Sequence, residues 1–291
     1  MIILELRQKH QRIKLKSWLS IANLSKSTFF EWKEKIESNF NKDLEWIELI
    51  KESVEQSNDT YGYRRVTLDL QNKGYIINHK KVRRIMKENG LTCTKFTRKT
   101  RKKYSSYKGT IGKVAKNELN REFNVKTLNT VWVTDITEFS IPNDHRRLYL
   151  SPLLDIANGE IISYRIGYNP TTKLTNDMLD QALEKLPSNH KLMIHSDQGF
   201  HYQHHSWVLT LENENIKQSM SRKGNCLDNA PMENFFGLLK QEMFHGEEFK
   251  SLNELKQAII KYIYWYNNFR IKQKLNGLSP VQYRQQAIQI T

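Results

Sequence analysis

The segment Thr130-Val131-Trp132-Val133-Thr134-Asp135-Ile136-Thr137-Glu138-Phe139 decides the fold. Its β-branched and aromatic residues suit a pleated, half-buried surface, so it reads as a strand. Asp135 stands in the middle of it. A carboxylate flanked by Val131, Val133, Ile136 and Phe139 is unfavourable unless it is paired or binds a cation. Downstream, Pro142-Asn143-Asp144 marks a turn, and residues 148–156 read as a second strand in which Pro152 argues for a bulge or an edge. Asn158-Gly159 is a strong hairpin turn into a third strand over 161–168. Helical spacing follows over 174–186, then a short buried strand over 192–195, a helix around Trp207 and Leu211, and a fifth strand over 216–220. A last helix opens near Asn229-Ala230-Pro231. Three hairpin-linked strands followed by helix, strand, helix, strand and helix make an α/β fold, a mixed five-stranded sheet with flanking helices.

Two more acids take positions suited to a site on that sheet. Asp197, in His195-Ser196-Asp197-Gln198-Gly199, lies at the C-terminal end of the fourth strand, where ligands gather in such sheets. Glu233 lies in the first turn of the last helix, just after Pro231, which suits a helix start. Plainer roles are open to both: Asp197 as a turn residue, Glu233 as a charge at the positive end of its helix. The helix itself adds to the metal reading. At about 100° per residue, Met232, Phe236, Leu239 and Met243 form one stripe that can face the sheet. Glu233 and Lys240 are seven apart and project on nearly the same side, with Gly237 leaving room between them. A carboxylate and an ammonium on one edge suit a metal beside a phosphate, although two unrelated surface charges would look the same. His201, His204 and His205 have no cysteine partners, so they read as a solvated loop rather than a zinc site. His195 reads as a packed residue at the strand end rather than a general base.

Upstream the texture is different. The net charge of the 291 residues is +15, and it is uneven: residues 1–110 hold 25 Lys and Arg against 12 Asp and Glu, residues 111–291 hold 21 against 19. A basic segment joined to a nearly neutral one points to a polyanion-binding arm, with nucleic acid ahead of an anionic membrane. No run of about 18 apolar residues exists, and Met1-Ile2-Ile3-Leu4 is soon broken by Glu5 and Arg7. An intracellular protein without a membrane partner is expected, with Cys93 and Cys226 as free thiols.

Residues 12–36 read as two short helices around a turn, the second capped by Ser25, which fits a helix–turn–helix or a simple helical hairpin. A further helix is expected over 43–57. Tyr61-Gly62-Tyr63-Arg64-Arg65-Val66 runs into a helix ending at Gly74, and Asn78 caps a helix over 80–89 that Gly90 stops. That last helix turns Val82, Ile85 and Met86 inward and leaves Lys80, Lys81, Arg83, Arg84 and Lys87 outward. A basic helix after a tight turn fits a recognition helix for the DNA major groove. A solvated basic face is the alternative, and Arg64 and Arg65 nearby favour DNA. Over 91–127, Lys95, Arg98, Lys99, Arg101, Lys102, Lys103 and Lys108 are interleaved with Phe96, Tyr104 and Tyr107. Such density favours an extended linker able to track a phosphate backbone.

Taken together, Trp132-Val133-Thr134-Asp135-Ile136-Thr137, His195-Ser196-Asp197-Gln198-Gly199 and Gly224-Asn225-Cys226-Leu227-Asp228-Asn229-Ala230-Pro231-Met232-Glu233 resemble the three acidic motifs of bacterial insertion-sequence transposases, which share a catalytic core with retroviral integrases. Between Asp197 and Glu233 lie 35 residues, as in that family, and Lys240 matches its basic residue seven after the glutamate. Tyr266-Asn267-Asn268-Phe269-Arg270 and Leu278-Ser279-Pro280 resemble its C-terminal pattern, and Tyr61-Gly62-Tyr63-Arg64-Arg65 the helix–turn–helix segment of transposases from two-frame elements. Ala157-Asn158-Gly159-Glu160 departs from a Ser-Arg pair common there, and the stretch 271–274 lacks a histidine.

The resemblance implies a ribonuclease-H-like core in which the first and fourth strands are neighbours, behind an all-α helix–turn–helix region. The implied layout is a helical DNA-binding region over 1–90, a basic linker over 91–127, the catalytic core over 128–245 and a helical extension over 246–291. Asp135, Asp197 and Glu233 would hold two Mg²⁺ ions, for which Mn²⁺ can substitute, with Asp135 bridging them. Water would first cut at the element end, and the freed 3′-hydroxyl would attack a new phosphodiester. Lys240 would contact DNA phosphate, as would Arg64, Arg65, Lys80, Lys81, Arg83 and Arg84 upstream. The implied partners are element-end and target DNA, further copies of the chain on DNA, and an upstream-frame product fused to or paired with it. The implied place is the bacterial cytoplasm, at the nucleoid. A DNA-binding regulator with an inactive core, or a nuclease of the same fold that cuts without joining, are the alternatives.

Overall fold

The computed structural model describes residues 2–10, 12–96, 114–142 and 144–290. They divide into two compact units, Met1–Thr92 and Cys93–Thr291. Arg98, Lys99, Arg101, Lys102, Lys103, Tyr104, Tyr107 and Lys108 of the expected linker lie outside the described residues, as do Asn143 and the side chain of Cys226.

The first unit is helical: α1 Ile2–Lys9, α2 Leu15–Ile21, α3 Lys26–Gln56, α4 Tyr63–Asn72 and α5 His79–Glu88. Ser25 caps α3, its hydroxyl accepting from the Thr28 amide at 3.1 Å, and Asn78 caps α5 through the Lys80 amide at 2.8 Å. The helices expected over the second half of 12–36 and over 43–57 are one continuous α3 of 31 residues. No proline or glycine lies between Lys26 and Gln56 to end it. Ile47, Ile50 and Val54 of α3 are buried, as are Val66 and Leu70 of α4 and Val82, Ile85 and Met86 of α5.

The second unit is built on a mixed sheet: β1 Val131–Thr134, β2 Thr137–Phe139, β3 Leu148–Asp155, β4 Glu160–Gly167, β5 Met193–Ser196 and β6 Lys217–Met220. The expected first strand is interrupted, which is why six strands replace five. β1 and β2 pair with the same side of β3, Thr134 opposite Leu153 and Thr137 opposite Leu150. The break at Asp135-Ile136 therefore faces Ser151-Pro152. Proline offers no amide to a ladder, and its carbonyl there accepts from the Thr134 hydroxyl at 2.9 Å, so the break leaves no backbone group of Pro152 unpaired on that side. β4 lies on the other side of β3, joined by the turn at Gly159, whose φ of +72° suits glycine. β5 runs parallel to β1, and β6 parallel to β5.

Helices cover both faces. α6 Thr172–Leu183 and α8 His205–Asn213 pack on the face of Trp132, Leu153 and Ile194, with the short α7 Phe200–Gln203 between them. α9 Ala230–Leu239 and α10 Leu252–Asn268 pack on the face of Val131, Val133, Leu150 and Leu154. The unit closes with α11 Pro280–Ile290.

Two expected boundaries are not divisions of this unit. Leu252, Leu255, Ile259, Tyr262, Ile263 and Tyr266 of α10 share one core with α9 and the sheet, so residues beyond 245 are part of it rather than an appendage. Before β1, the segment from Val114 is fastened rather than loose. The Ser219 hydroxyl accepts from the amides of Glu118 and Leu119 at 2.9 and 3.2 Å, and the Met220 amide donates to Lys116 O at 3.3 Å along the outer side of β6. The opposite border, β4, is met by side chains. Asn267 pairs its amide group with both backbone groups of Ile161, each at 2.9 Å, and Lys185 donates to Ile162 O at 2.7 Å.

The residues that depart from the family pattern have work in this packing. Asn158 donates to Pro280 O at 3.0 Å, and Arg284 of α11 bonds Glu160 at 2.5 Å and Asp155 at 3.3 Å. Lys272 reaches Gly159 O at 2.9 Å and the Tyr266 hydroxyl at 2.8 Å. The hairpin tip is thus a docking point for the C-terminal segment.

Candidate active site

β1 and β5 are adjacent and parallel, with Val133 opposite His195. Asp135 and Asp197 each follow two residues later, so they stand abreast where the two strands end, on chains about 4.8 Å apart. Both continue the odd-numbered side of their strands, the side that Val131, Val133 and α9 share. Glu233 enters from the first turn of α9, after Pro231. Asn229, directly before α9, donates to Thr134 O at 3.1 Å and so joins the helix start to the end of β1. All three residues are intermediate in exposure.

Their electrostatics are those of anions crowded without a counter-ion. Burial pushes Asp135 well above the usual carboxylate range, with the charges of Asp197 and Glu233 adding to it and Lys240 opposing. Burial likewise raises Asp197 and Glu233. Each aspartate takes one nearby amide: Ile136 N to Asp135 at 2.7 Å and Gly199 N to Asp197 at 2.8 Å. A Cβ at Gly199 would come within 2.9 Å of the Asp197 carboxylate, so glycine keeps that oxygen uncovered. Among the described residues no three His, Cys, Asp or Glu side chains, these acids included, are drawn close enough to hold a metal ion between them. An all-oxygen, acidic, partly open set fits a hard divalent cation that keeps water and substrate oxygens in its shell.

Lys240 opens a π-helical turn, Lys240–Phe244, one residue beyond α9. Its ammonium donates to the Thr137 hydroxyl at 2.6 Å and lies 5.2 Å from the centre of the Phe139 ring, so it sits on β2 just past Asp135. Met232, Phe236 and Leu239 face the sheet as the spacing predicts, with Met243 packed beside them.

The histidines have other duties. His195 is fully buried between the hydroxyls of Ser219 and Ser221, at 2.9 and 3.0 Å, and burial pushes it down to about 4, so it is neutral. His201 bonds Pro170 O at 2.6 Å, and His204 caps α8.

The roles of three buried charged residues escape sequence reasoning. Asp228 has no exposed surface and accepts from Arg222, Arg121 and Asn117; the Arg222 hydrogen bonds, then Arg121, hold it far below its ordinary value. Glu242 and Arg270 form a buried pair at 2.6 Å that the Tyr262 hydroxyl completes at 2.8 Å. Burial alone would lower the Arg270 value, but Glu242 outweighs it and raises it. A buried arginine explains why the motif ending at Arg270 is there at all.

In the first unit, Lys80, Arg83 and Arg64 are exposed. Arg64 and Arg83 both lie against the Tyr63 ring, at 5.8 and 5.7 Å, and Arg65 lies 5.8 Å from that of Tyr61. Lys81 and Arg84 do not simply point outward as expected: both bond Asp43 of α3, at 2.8 and 2.6 Å. The expectation overlooked an acid 38 residues before Lys81 that the α3–α5 packing brings alongside.

A parallel pair of strands carrying two aspartates, a sheet whose first three strands are antiparallel, and a glutamate on a covering helix define an integrase-type core of ribonuclease-H-like fold. Residues 126–226 and 233–288 match two models of the integrase core domain, and residues 41–100 match an HTH-like domain. The chain is 44% identical over 285 residues to a protein of Escherichia coli assigned as transposase InsK of insertion sequence element IS150, covering 98% of this chain and 97% of that one. It is 46% identical over 212 residues to a transposase-like protein of Haemophilus influenzae, covering 73% and 95%. The chain belongs to the transposases of bacterial insertion sequences. Among solved structures, the HTLV-2 integrase catalytic core domain in complex with magnesium aligns with 53% of this chain and 95% of that one, at 19% identity and a TM-score of 0.41.

Proposed function

We propose that this transposase cuts DNA at element ends and joins the freed ends to new DNA, using Asp135, Asp197 and Glu233 to hold two Mg²⁺ ions. The observation that supports this most is that burial raises all three carboxylates, with the charges of Asp197 and Glu233 adding to it at Asp135, and that none of them forms an ion pair among the described residues. When bound, such ions supply Lewis acidity to the attacking and leaving oxygens of an in-line displacement. Asp135, Asp197 and Glu233 would hold these ions through their carboxylate oxygens. Lys240 holds a phosphate of the strand being cut and offsets charge gathering on the reacting group. In cleavage, water forms the new P–O bond, the old one breaks to leave a 3′-hydroxyl, and a proton is released. In transfer that hydroxyl attacks a second phosphodiester, forming a new P–O bond as the old one breaks and passing its proton on while the displaced target strand leaves with a 3′-hydroxyl. The first unit recognises element ends, with the exposed Arg64, Arg83 and Lys80 contacting DNA and Arg65, Lys81 and Arg84 in support. Copies of the chain assemble on DNA, with or without an upstream-frame product, in the cytoplasm at the nucleoid. No described helix is long and apolar enough to cross a membrane.

The test is a cleavage and strand-transfer assay on element-end DNA with Mg²⁺. Asp135→Ala should lose both steps while keeping end binding. Normal cutting by Asp135→Ala would sink the assignment. Cutting without joining by the unmodified protein would mark a nuclease, and binding without cutting a regulator.

A further inference from the structure

We infer that Asp228 is a positioning residue for Glu233, acting through a clamp between the segment before β1 and the turn before α9. The inference rests on the metal-holding role proposed for Glu233.

Asp228 lies in the 3-10 turn Cys226–Asn229, and its side chain is wholly buried. A buried carboxylate persists only where fixed donors surround it. Asp228 has five: Arg222 N, Nε and Nη2 at 3.0, 2.9 and 2.8 Å, Arg121 Nε at 2.7 Å and Asn117 Nδ2 at 3.0 Å. Arg121 Nη2 also donates to Asn225 Oδ1 at 2.9 Å, on the same turn. Arg222 closes the turn on itself. Arg121 and Asn117 come from more than a hundred positions earlier in the chain, from the segment that Ser219 fastens beside β6. On the other side, Asn229 holds Thr134 O, the carbonyl directly before Asp135. Two consecutive residues thus bolt the turn to the segment before β1 and to the end of β1 itself.

Glu233 follows Asp228 by five residues, and no side chain caps the start of α9. The direction of that first turn is therefore set by what precedes it. Partners that orient a metal ligand act on affinity as well as geometry, and losing one weakens metal binding by about 10- to 100-fold. Arg121 and Asn117 carry no catalytic group, yet the clamp makes the placement of Glu233 depend on them.

The test uses the full chain and Mn²⁺ alone as probe, followed by loss of the free-ion EPR signal, with thermal melting in parallel. Arg121→Ala, at a half-exposed residue, should weaken Mn²⁺ binding about tenfold with little change in melting. Arg121→Lys should lie between it and the unmodified protein, and Asp228→Asn should match or exceed it. Because the clamp acts through Glu233, Arg121→Ala should add nothing in a Glu233→Gln background. Unchanged binding in Arg121→Ala, alongside weakened binding in Glu233→Gln, overturns the clamp alone. An equal further loss in the double variant also overturns it. Unchanged binding in Glu233→Gln overturns the role of Glu233 itself.

Discussion

Two groups of buried acids in one unit have opposite electrostatics. Around Asp228 and Glu242 every charge is answered: arginines, an asparagine and a tyrosine fill the lone pairs. Asp135, Asp197 and Glu233 form no ion pair among the described residues, and burial outweighs the amides and cations near them, so all three are raised. Arginines pair with Asp228 and Glu242, while Lys240 stands at the border of the site and His201 beside Asp197. A carboxylate surrounded by donors holds the structure together. A carboxylate kept from them is set aside for a cation that the chain does not supply.

The sharpest way to break this contrast is Asp135→Asn. It should abolish cleavage yet raise the melting temperature of the metal-free protein, since it removes a charge that folding crowds. Mg²⁺ at about a hundred times its Kd should stabilise the unmodified protein by about 2.7 kcal/mol and leave the variant unchanged. Calorimetry with and without Mg²⁺ checks both, and a variant that melts lower without metal would mean that Asp135 is a structural acid like Asp228.

Next in size is the answered pair. Arg270→Met leaves Glu242 buried and uncompensated, which should cost about 3–5 kcal/mol in urea unfolding. Adding Glu242→Leu should recover much of that. A loss below about 1 kcal/mol, the scale of an exposed pair, would place this pair in the wrong class.

The smallest effect is in the pH response, and its sign differs between the groups. Asp228 lies below its ordinary 3.8, so its stabilising contribution is complete above that value and drains away as pH falls below it. The raised triad behaves the other way: the metal-free protein loses stability as pH climbs out of the ordinary carboxylate range through the raised values. Asp228→Asn should flatten only the acid limb of a melting-temperature profile, and Asp135→Asn only the decline above it. Both variants flattening the same limb would erase the distinction.

What was legible in the sequence follows from how far each interaction reaches. Ser25, Asn78 and the Asn158-Gly159 turn act within a few residues, and they stand where local pattern puts them. The alternation around Val131 and Val133 and the stripe through Met232, Phe236 and Leu239 assign faces, and with them the side of the sheet where the acids meet. The misses are long-range. Asp228 sits inside a quoted motif, but its meaning depends on Arg121, 107 positions away. Asp43 takes Lys81 and Arg84 only because α3 runs on unbroken to bring it there. The segment from Val114 has little apolar periodicity, so its attachment through Ser219 leaves no trace in composition.

The two borders of the sheet carry a further consequence. A strand with bare amides and carbonyls is a template on which another chain can zip itself. Here Asn267 imitates a strand partner for Ile161, Lys185 stoppers the next carbonyl, and the stretch around Lys116 lies along the far side. Crowded molecules are thereby steered away from stitching their backbones into fibres, and any contact they make must be chosen by side chains instead.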